Sequence, residues 1–592
     1  MIRKQTLLAV WVLLLAMAAQ PAARAEGAAP AADELVPAQA VLVLNITQPR
    51  ALLDTFLQPK LIEAVEASPA YKAAAAKPGF GQFQTVIKLL EARFGANWKT
   101  IVRRLVGGRL TWAVGPGGTS LLVVDALDAE APKGLHEFLQ VMVEADAKKK
   151  QQTDRIRSEK HGDVTIWSFG PNEAHAVIGK RWIVANHLDV LKTALNLRDG
   201  SSGKPITSVP GYTQALEAAG TDAAAALYLN TAILKQLPKV AKALSSKTNP
   251  LVALLAAPVT EALSKSSWLT VAVKTGKQAV TIEAISDGAV ATSGVAKFAL
   301  AAKSGDGAMP NLRVPRRIAA MSLYRDLRGF YAAKDTLFPE RTSGLIFFEN
   351  MMGIFFTGRD LADEVLAEMG PTVRLVVAGQ KYDAAVGTPA VQLPAFALVV
   401  PLKNPKRFAP VVEEAWQKAV GLVNFTRGQK AEPGLIIDRP VHGGVKYTVA
   451  AFGPPTDKEK VVDMRFNFSP AIAVAHGHLI LSSTDGLTRD VMDALGAEAA
   501  GSVKPLAAAH SLLEIDGTQL ASILSANGET MIRGNMVDKG NTREQAESDI
   551  NTLLTVVKTV KRLELAFGAD KGLSKTSLTI HLNLPAGAKG GT

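Results

Sequence analysis

In this chain of 592 residues, the type and spacing of two histidines, His476 and His478, suggest metal chemistry. On a β-strand, residues i and i+2 point to the same face, so the two imidazoles could supply two ligands to a metal ion. A metal site needs at least a third ligand, and the sequence offers only Asp485 or His442 as guesses. Surface histidines on an edge strand explain the pair more simply. We therefore expect no metal ion and keep His476 and His478 only as candidate ligands.

Three further patterns stop short of a reaction site. Residues 200–204 read Gly-Ser-Ser-Gly-Lys, but a P-loop has four residues between its glycines, and Pro205 stands where it has Ser or Thr. Ser168 lies in Ile-Trp-Ser-Phe-Gly, which lacks the first glycine of a nucleophile elbow. The pair His136-Glu137 lacks the second histidine of a zinc-protease helix. We therefore assign no catalytic residue and no cofactor.

A short apolar stretch over residues 344–356 is the main candidate for a contact surface. It concentrates aromatic residues in a chain that contains only 6% of them. Its two methionines give an adaptable surface, and exposed apolar patches bind lipid, membranes or protein partners. An apolar run of this length is also typical of a core helix, and that alternative stays open. The candidate residues for hydrophobic contact are Phe347, Phe348, Met351, Met352, Phe355 and Phe356.

The elements that must position these residues follow one pattern that the chain uses twice. Residues 162–197 read as three strands followed by a helix, with a Phe-Gly turn after the first strand. Residues 444–495 repeat the same order with the same turn. The charged residues 148–161, just before the first copy, are predicted to be a solvated helix end or loop.

The order of strands and helices around the two copies also recurs, which predicts an internal duplication. Strands in hairpins with helices between them indicate an α+β fold, in which each domain has a mainly antiparallel sheet with helices packed on one face. The predicted segments are a signal peptide (1–25), a flexible lead-in (26–33), a first domain (34–303), a linker (304–315), a second domain (316–585) and a flexible tail (586–592).

The N-terminus has the three parts of a secretion signal. Arg3 and Lys4 precede an apolar core over residues 7–19, which is too short to span a bilayer comfortably. Residues 23–25 read Ala-Arg-Ala and fit the small-x-small rule for cleavage. Cleavage after Ala25 predicts a periplasmic or secreted protein with no transmembrane span.

Composition narrows the classes of partner. The chain has no cysteine, which excludes disulfides, thiolate metal sites and lipid attachment at a signal-junction cysteine. The formal net charge is +12, and three of the positive charges leave with the signal peptide. No long basic run is interleaved with aromatic residues, so we expect no nucleic acid. An envelope protein, an anionic surface and a hydrophobic ligand remain as candidate partners.

A family resemblance supports export and repetition. The opening residues 36–44, the repeated Phe-Gly hairpin and the strand-then-helix run from Trp182 to Leu195 resemble a group of exported bacterial proteins that form a domain-of-unknown-function family. The resemblance covers most of the mature chain and rests on pattern rather than on an invariant motif. It implies export from the cytoplasm and a repeated α+β fold. It implies no substrate, because the family has no established activity.

Together these observations predict an exported, non-enzymatic protein that acts as a binding, scaffolding or envelope-associated module. The alternative is a carrier or sensor of a lipid-like hydrophobic ligand, which needs an apolar cavity lined by residues such as Phe347 or Phe356. A second alternative is a hydrolase with an unrecognised site, which needs convergent polar groups with perturbed titration in one cleft.

The predicted cleavage site is tested by exporting the full chain in a bacterial host and measuring the intact mass of the product. Because Ala23 and Ala25 satisfy the cleavage rule, we expect a mature N-terminus at Glu26. A product that retains residues 1–25 would contradict the cleaved signal and indicate an N-terminal anchor.

Overall fold

The structure, a computed structural model, describes residues 30–56, 62, 63, 66, 71, 75, 76, 78–152, 155–238, 240, 250–276, 278–288, 294–301, 305–339, 342–454, 462–507 and 509–583. The predicted signal peptide and tail lie outside these residues. The chain forms two compact units, Met1–Ser245 with Leu263–Asp287 and Ser246–Ala262 with Gly288–Thr592. The fold is α+β with antiparallel sheets, as the sequence predicts.

The first unit is built on one antiparallel sheet. Its strands pair in the order β10-β9-β8-β1-β2-β3-β7-β6-β5-β4. The strand bounds are β1 Leu42–Ile46, β2 Arg109–Val114, β3 Ser120–Asp125, β4 Arg157–His161, β5 Val164–Gly170, β6 Glu173–Ile178, β7 Arg181–Ala185, β8 Ala225–Asn230, β9 Trp268–Thr275 and β10 Ala279–Ser286.

Helices of the first unit cover both faces of this sheet. On β8, Ala225 belongs to the buried cluster that contains Leu53 and Val106, whereas Ala226 belongs to the cluster that contains Ala219. Adjacent strand residues point to opposite faces, so both faces are covered. The helix bounds are α1 Pro49–Phe56, α2 Pro78–Phe94, α3 Trp98–Val106, α4 Glu130–Lys149, α5 Leu188–Arg198, α6 Pro210–Ala219 and α7 Thr231–Leu234; α8, Pro250–Lys265, crosses the unit boundary.

The second unit has a sheet of the same kind. Its strands pair in the order β24-β23-β22-β12-β13-β14-β20-β19-β18-β15. The strand bounds are β12 Arg317–Tyr324, β13 Thr372–Ala378, β14 Ala395–Pro401, β15 Leu435–Asp438, β18 Thr448–Phe452, β19 Ala471–Ala475, β20 His478–Ser482, β22 Ala509–Asp516, β23 Val560–Asp570 and β24 Leu573–Leu582. Two small two-stranded sheets pair β11 Gly307–Ala308 with β21 Leu506–Ala507, and β16 Val441–His442 with β17 Val445–Lys446.

Helices also cover both faces of the second sheet. On β19, Ile472 shares a buried cluster with Phe408, whereas Ala473 shares another with Val491. The prediction of helices on one face is therefore wrong for both units, because the strands carry apolar residues on both of their faces. The helix bounds are α9 Leu327–Ala332, α10 Lys334–Leu337, α11 Thr342–Phe355, α12 Pro405–Gly428, α13 Asp485–Ala500, α14 Gly517–Ala526, α15 Gly528–Lys539 and α16 Arg543–Thr559.

Two local predictions differ from the structure. Residues 157–161 form the edge strand β4, which pairs with β5, rather than a helix end or loop. Charged side chains are common on edge strands because they discourage pairing with other chains, so charge alone did not indicate a loop. In the predicted flexible lead-in, residues 32–35 form a 3-10 helix in which Ala32 and Leu35 are buried, so this part of the lead-in is packed.

Arg325 explains why residues 246–262 belong to the second unit and not to the contiguous first domain (34–303) that the sequence predicts. Its side chain is buried, and its guanidinium donates hydrogen bonds to the carbonyl oxygens of Leu254 (2.9 Å) and Tyr324 (2.6 Å) and to the hydroxyl oxygen of Ser511 (2.9 Å). Burial lowers the pKa of Arg325 to about 10. The N–H groups of this guanidinium thus connect α8 with β12 and β22 through hydrogen bonds.

Replacing Arg325 by Met is expected to lower the free energy of unfolding by about 3 kcal/mol, because several buried oxygens lose their donor. The control is Arg328→Met, which removes an exposed pair with Asp363 and is expected to cost less than about 1 kcal/mol. Urea denaturation of both variants measures the difference. Equal losses would show that Arg325 does not tie α8 to the second unit.

Candidate functional site

The apolar stretch 344–356 forms most of helix α11, and one side of that helix is open to solvent. Phe347, Met351 and Ile354 are 70%, 40% and 59% exposed. Positions i, i+4 and i+7 lie along one helical face, so these side chains form a continuous outward stripe. Ile346 and Phe348 flank the stripe and are also exposed. We call these five residues the apolar stripe.

The opposite side of α11 packs against its own unit. Met352 and Phe356 contact the buried cluster that contains Tyr331 and Phe408. The Tyr331 hydroxyl donates to a carboxylate oxygen of Glu349 at 2.9 Å. Burial, followed by this hydrogen bond to Glu349, raises the pKa of Tyr331. Glu349, whose charge is the only one in the stretch 344–356, is therefore held on the inward side of the helix.

The six predicted contact residues thus divide between two faces. Phe347, Phe348 and Met351 lie in the apolar stripe, Met352 and Phe356 pack inward, and Phe355 is half-buried. The sequence left open whether the stretch is core or surface, and the structure shows that it is both. A run that is apolar on every side gives no periodicity from which to assign the two faces.

His476 and His478 do not lie on one strand face. Strand β19 ends at Ala475 and β20 begins at His478, so His476 and Gly477 form the two-residue turn between them, with φ values of 49° and 76°. Positive φ at both central positions is typical of hairpin turns. The premise of an i, i+2 strand pair is therefore wrong, because the chain reverses between the two histidines.

His478 instead takes part in a partly buried polar cluster that connects α13 to the sheet. Its Nδ1 donates to the carbonyl oxygen of His476 at 2.8 Å, and its Nε2 accepts from Arg374 Nη2 at 3.4 Å. Arg374 is buried and pairs with Glu498 of α13 at 2.7 Å. Burial, with a smaller contribution from Arg374, holds the pKa of His478 below its usual range. The neutral imidazole fits this hydrogen-bond pattern.

The two residues considered as a third ligand have other partners. His442 Nε2 lies 2.7 Å from Asp493 Oδ1. Asp485 accepts hydrogen bonds from Tyr447 and Arg489. Across the described ranges, no group of three or more His, Asp or Glu side chains is arranged to hold a metal ion.

A cleft of about 830 Å³ lies in the first unit beside β4 and β5. Ser168 lines it, together with polar side chains such as Gln151, Arg155 and Glu173. A lining of this kind does not match an apolar ligand, which needs mainly hydrophobic walls. The cleft lies in the first unit and the apolar stripe in the second, so the stripe does not line this cleft.

The sequence does not predict one further cluster, a hydrogen-bonded chain of Glu173, His175 and His136. His175 Nδ1 contacts the Glu173 carboxylate, and His175 Nε2 lies 3.0 Å from Nδ1 of His136 on α4. A bulge between β5 and β6, which pairs Trp167 with His175 and Gly170 with Glu173, brings these residues together. The sequence spacing of His136 and His175 carries no motif, so only the register of the sheet reveals the contact.

The fold and its sites thus define an α+β protein with an exposed apolar helix, and no described helix is long and apolar enough to cross a bilayer. No family model matches the chain, and no curated protein matches it. The family resemblance stays a prediction.

Solved structures similar to parts of the chain include crystal forms IV, I and III of the protein TP0453. The identities are 10%, 10% and 11%, and the TM-scores are 0.23, 0.24 and 0.23. Each match covers 44% of this chain, and 81%, 79% and 80% of the respective TP0453 chain. TM-scores of this size do not establish a common fold, so these similarities assign neither fold nor function.

The pKa of His478 predicts how the second unit responds to acid. Because the folded-state pKa is below the usual value of 6.5, the unfolded chain takes up this proton first as the pH falls. The contribution of His478 to stability is therefore present above about pH 6.5 and is lost below it. Thermal unfolding should show that the free energy of unfolding falls between about pH 7.5 and about pH 5.5, and that this fall is smaller in His478→Gln than in the wild-type protein. The control, Val537→Gln on α15, removes an exposed side chain that does not titrate and should keep the wild-type fall; a wild-type fall in His478→Gln would contradict the assignment.

Proposed function

We propose that this chain is an exported, envelope-associated binding protein whose second unit attaches to a lipid surface through the apolar stripe of α11. The observation that carries the proposal is the exposure of Phe347, Met351 and Ile354 along one face of a helix. Exposed apolar patches of this kind mark interaction sites, because soluble units otherwise cover such side chains.

The chemistry of the stripe favours a lipid surface over a protein partner. Its exposed side chains are Ile, Phe and Met, and Glu349 is held inward by Tyr331, so the stripe offers no charge for specific pairing. A helix that lies in the membrane interface needs an apolar face without charge. Interfaces between proteins usually combine apolar contacts with hydrogen bonds and with a buried arginine or tyrosine side chain.

The length of α11 also fits attachment rather than insertion across the bilayer. Its 14 residues span roughly 21 Å, shorter than the hydrocarbon core. Burial of a large apolar side chain contributes about 2 kcal/mol, so several side chains of the stripe together stabilise reversible binding. The surplus of basic residues in the chain adds attraction to anionic lipid.

The outward orientation of Phe347 and Phe348 favours surface contact over carriage of a hydrophobic ligand, because neither side chain faces the interior of the unit. The hydrolase alternative gains no support from the stripe, which holds no titratable group. The shared strand order of the two sheets supports descent of the units from one duplicated domain.

The test is flotation of the purified mature protein with vesicles of phosphatidylcholine, with and without phosphatidylglycerol. We expect the wild-type protein to float with the vesicles, more so with phosphatidylglycerol. The variant Phe347→Gln/Ile354→Gln keeps helix-forming residues and removes two apolar side chains. It should lose about 3 kcal/mol of binding free energy, a fall of more than about 100-fold in the partition coefficient.

The matched control is Val537→Gln on α15, which removes an 82% exposed apolar side chain outside the stripe and should leave flotation unchanged. Circular dichroism of each variant verifies that the fold is retained. Absence of wild-type flotation, or equal flotation of the double variant, would reject the lipid proposal. Wild-type protein that ignores vesicles but forms a complex sensitive to the double variant would indicate a protein partner instead.

A further inference from the structure

The chain Glu173–His175–His136 lies in the first unit, apart from the apolar stripe, and the proposed lipid contact gives it no role. His175 is only 2% exposed. His136 is half-buried on α4, and its ring stacks on Phe169 with a centroid distance of 5.6 Å and lies 5.2 Å from Trp167. The aromatic rings shield the two imidazoles and fix the distance between them.

The hydrogen bonds assign each proton in this chain. A carboxylate only accepts, so His175 Nδ1 carries a proton that it donates to Glu173. In neutral His175, Nε2 is then an acceptor, and His136 Nδ1 must donate to it across 3.0 Å. In neutral His136, Nε2 therefore holds no proton.

This assignment allows the chain to take up one proton without breaking. A proton on His136 Nε2 leaves its Nδ1 as a donor to His175 and places a cation against the faces of aromatic rings, which is favourable. A second proton, on His175 Nε2, places two N–H groups face to face and two positive charges within a partly buried site. The bond between α4 and β6 then cannot persist.

We propose that Glu173, His175 and His136 form an acid-sensitive latch: the chain fastens α4 to the sheet of the first unit while at most one imidazole is protonated, and it releases α4 when both are. The apolar contacts of Leu135 and Leu139 in the same helix are unchanged by acid. Release is therefore a local loosening of α4 rather than unfolding of the unit.

The groups around His136 shift its pKa in opposite directions. Burial and then the neighbouring His175 hold the pKa of His136 below its usual range, and Glu137 and Glu173 oppose them. Glu137 lies on α4 itself and pairs with Arg93 of α2 at 2.7 Å, whereas β5 contributes the uncharged Trp167 and Phe169. Protonation of His136 alone leaves its hydrogen bond to His175 in place, so α4 is released only when a second proton enters the chain.

Hydrogen exchange of the full chain, followed by mass spectrometry of peptides, tests the latch. We compare peptides covering 130–149 at about pH 7 and about pH 4.5, with rates corrected for the intrinsic pH dependence of exchange. In the wild-type protein, the protection of α4 should fall by at least about tenfold in acid. Peptides covering α5 should retain most of their protection, because it packs outside the histidine chain.

The variant His136→Gln keeps an N–H donor for His175, but the glutamine takes up no proton. In acid, the protection of α4 against hydrogen exchange should therefore fall by less than about twofold in this variant. A second variant, His136→Phe, keeps a ring between Trp167 and Phe169 and should also abolish the acid response. The control His161→Gln alters a histidine that bonds Asn196 (2.9 Å) and should behave as wild type. An unchanged α4 in acid, equal losses in α4 and α5, or a wild-type response in both His136 variants would overturn the latch.

Discussion

Each antiparallel sheet carries apolar side chains on both faces, and the arrangement of the helices in both units depends on the need to cover them. An antiparallel sheet commonly leaves one face to water, which requires polar residues at every second position. On β19 that alternation is absent, because Ile472 and Ala473 enter two different buried clusters. Helices α12 and α13 must therefore lie on opposite faces of the second sheet.

This constraint also accounts for the position of α11. With the faces of the second sheet already covered, α11 packs through Met352 and Phe356 onto a cluster that includes Phe408 of α12. Its inward side chains pack there, whereas the apolar stripe remains exposed among the described residues of the second unit. The hydrogen bond between Tyr331 and Glu349 holds the charge of the stretch on the inward side, which leaves the apolar stripe without a charge. Such a surface is suited to lipid because hydrocarbon offers no partner to a charge.

Buried polar groups then fix which helix lies where. Arg325 holds α8 through carbonyl oxygens, Arg374 holds α13 through Glu498, and His175 holds α4 through His136. Hydrogen bonds inside a protein are directional and costly to leave unmade, so they select one arrangement among the many that apolar packing alone would allow. The histidine-containing clusters make part of this selection sensitive to pH, because burial disfavours the charged imidazole.

Sequence pattern alone determined the α+β class, the hairpins and the recurring order of elements, because alternation and turn residues act over a few neighbouring positions. It also located the apolar stretch 344–356, although not which of its residues face outward. Only the tertiary structure decided that His476 lies in a turn, that residues 157–161 are an edge strand and that His136 meets His175. Each of these depends on strand register or on contacts between distant segments, which are set by packing and leave no local signature in the sequence.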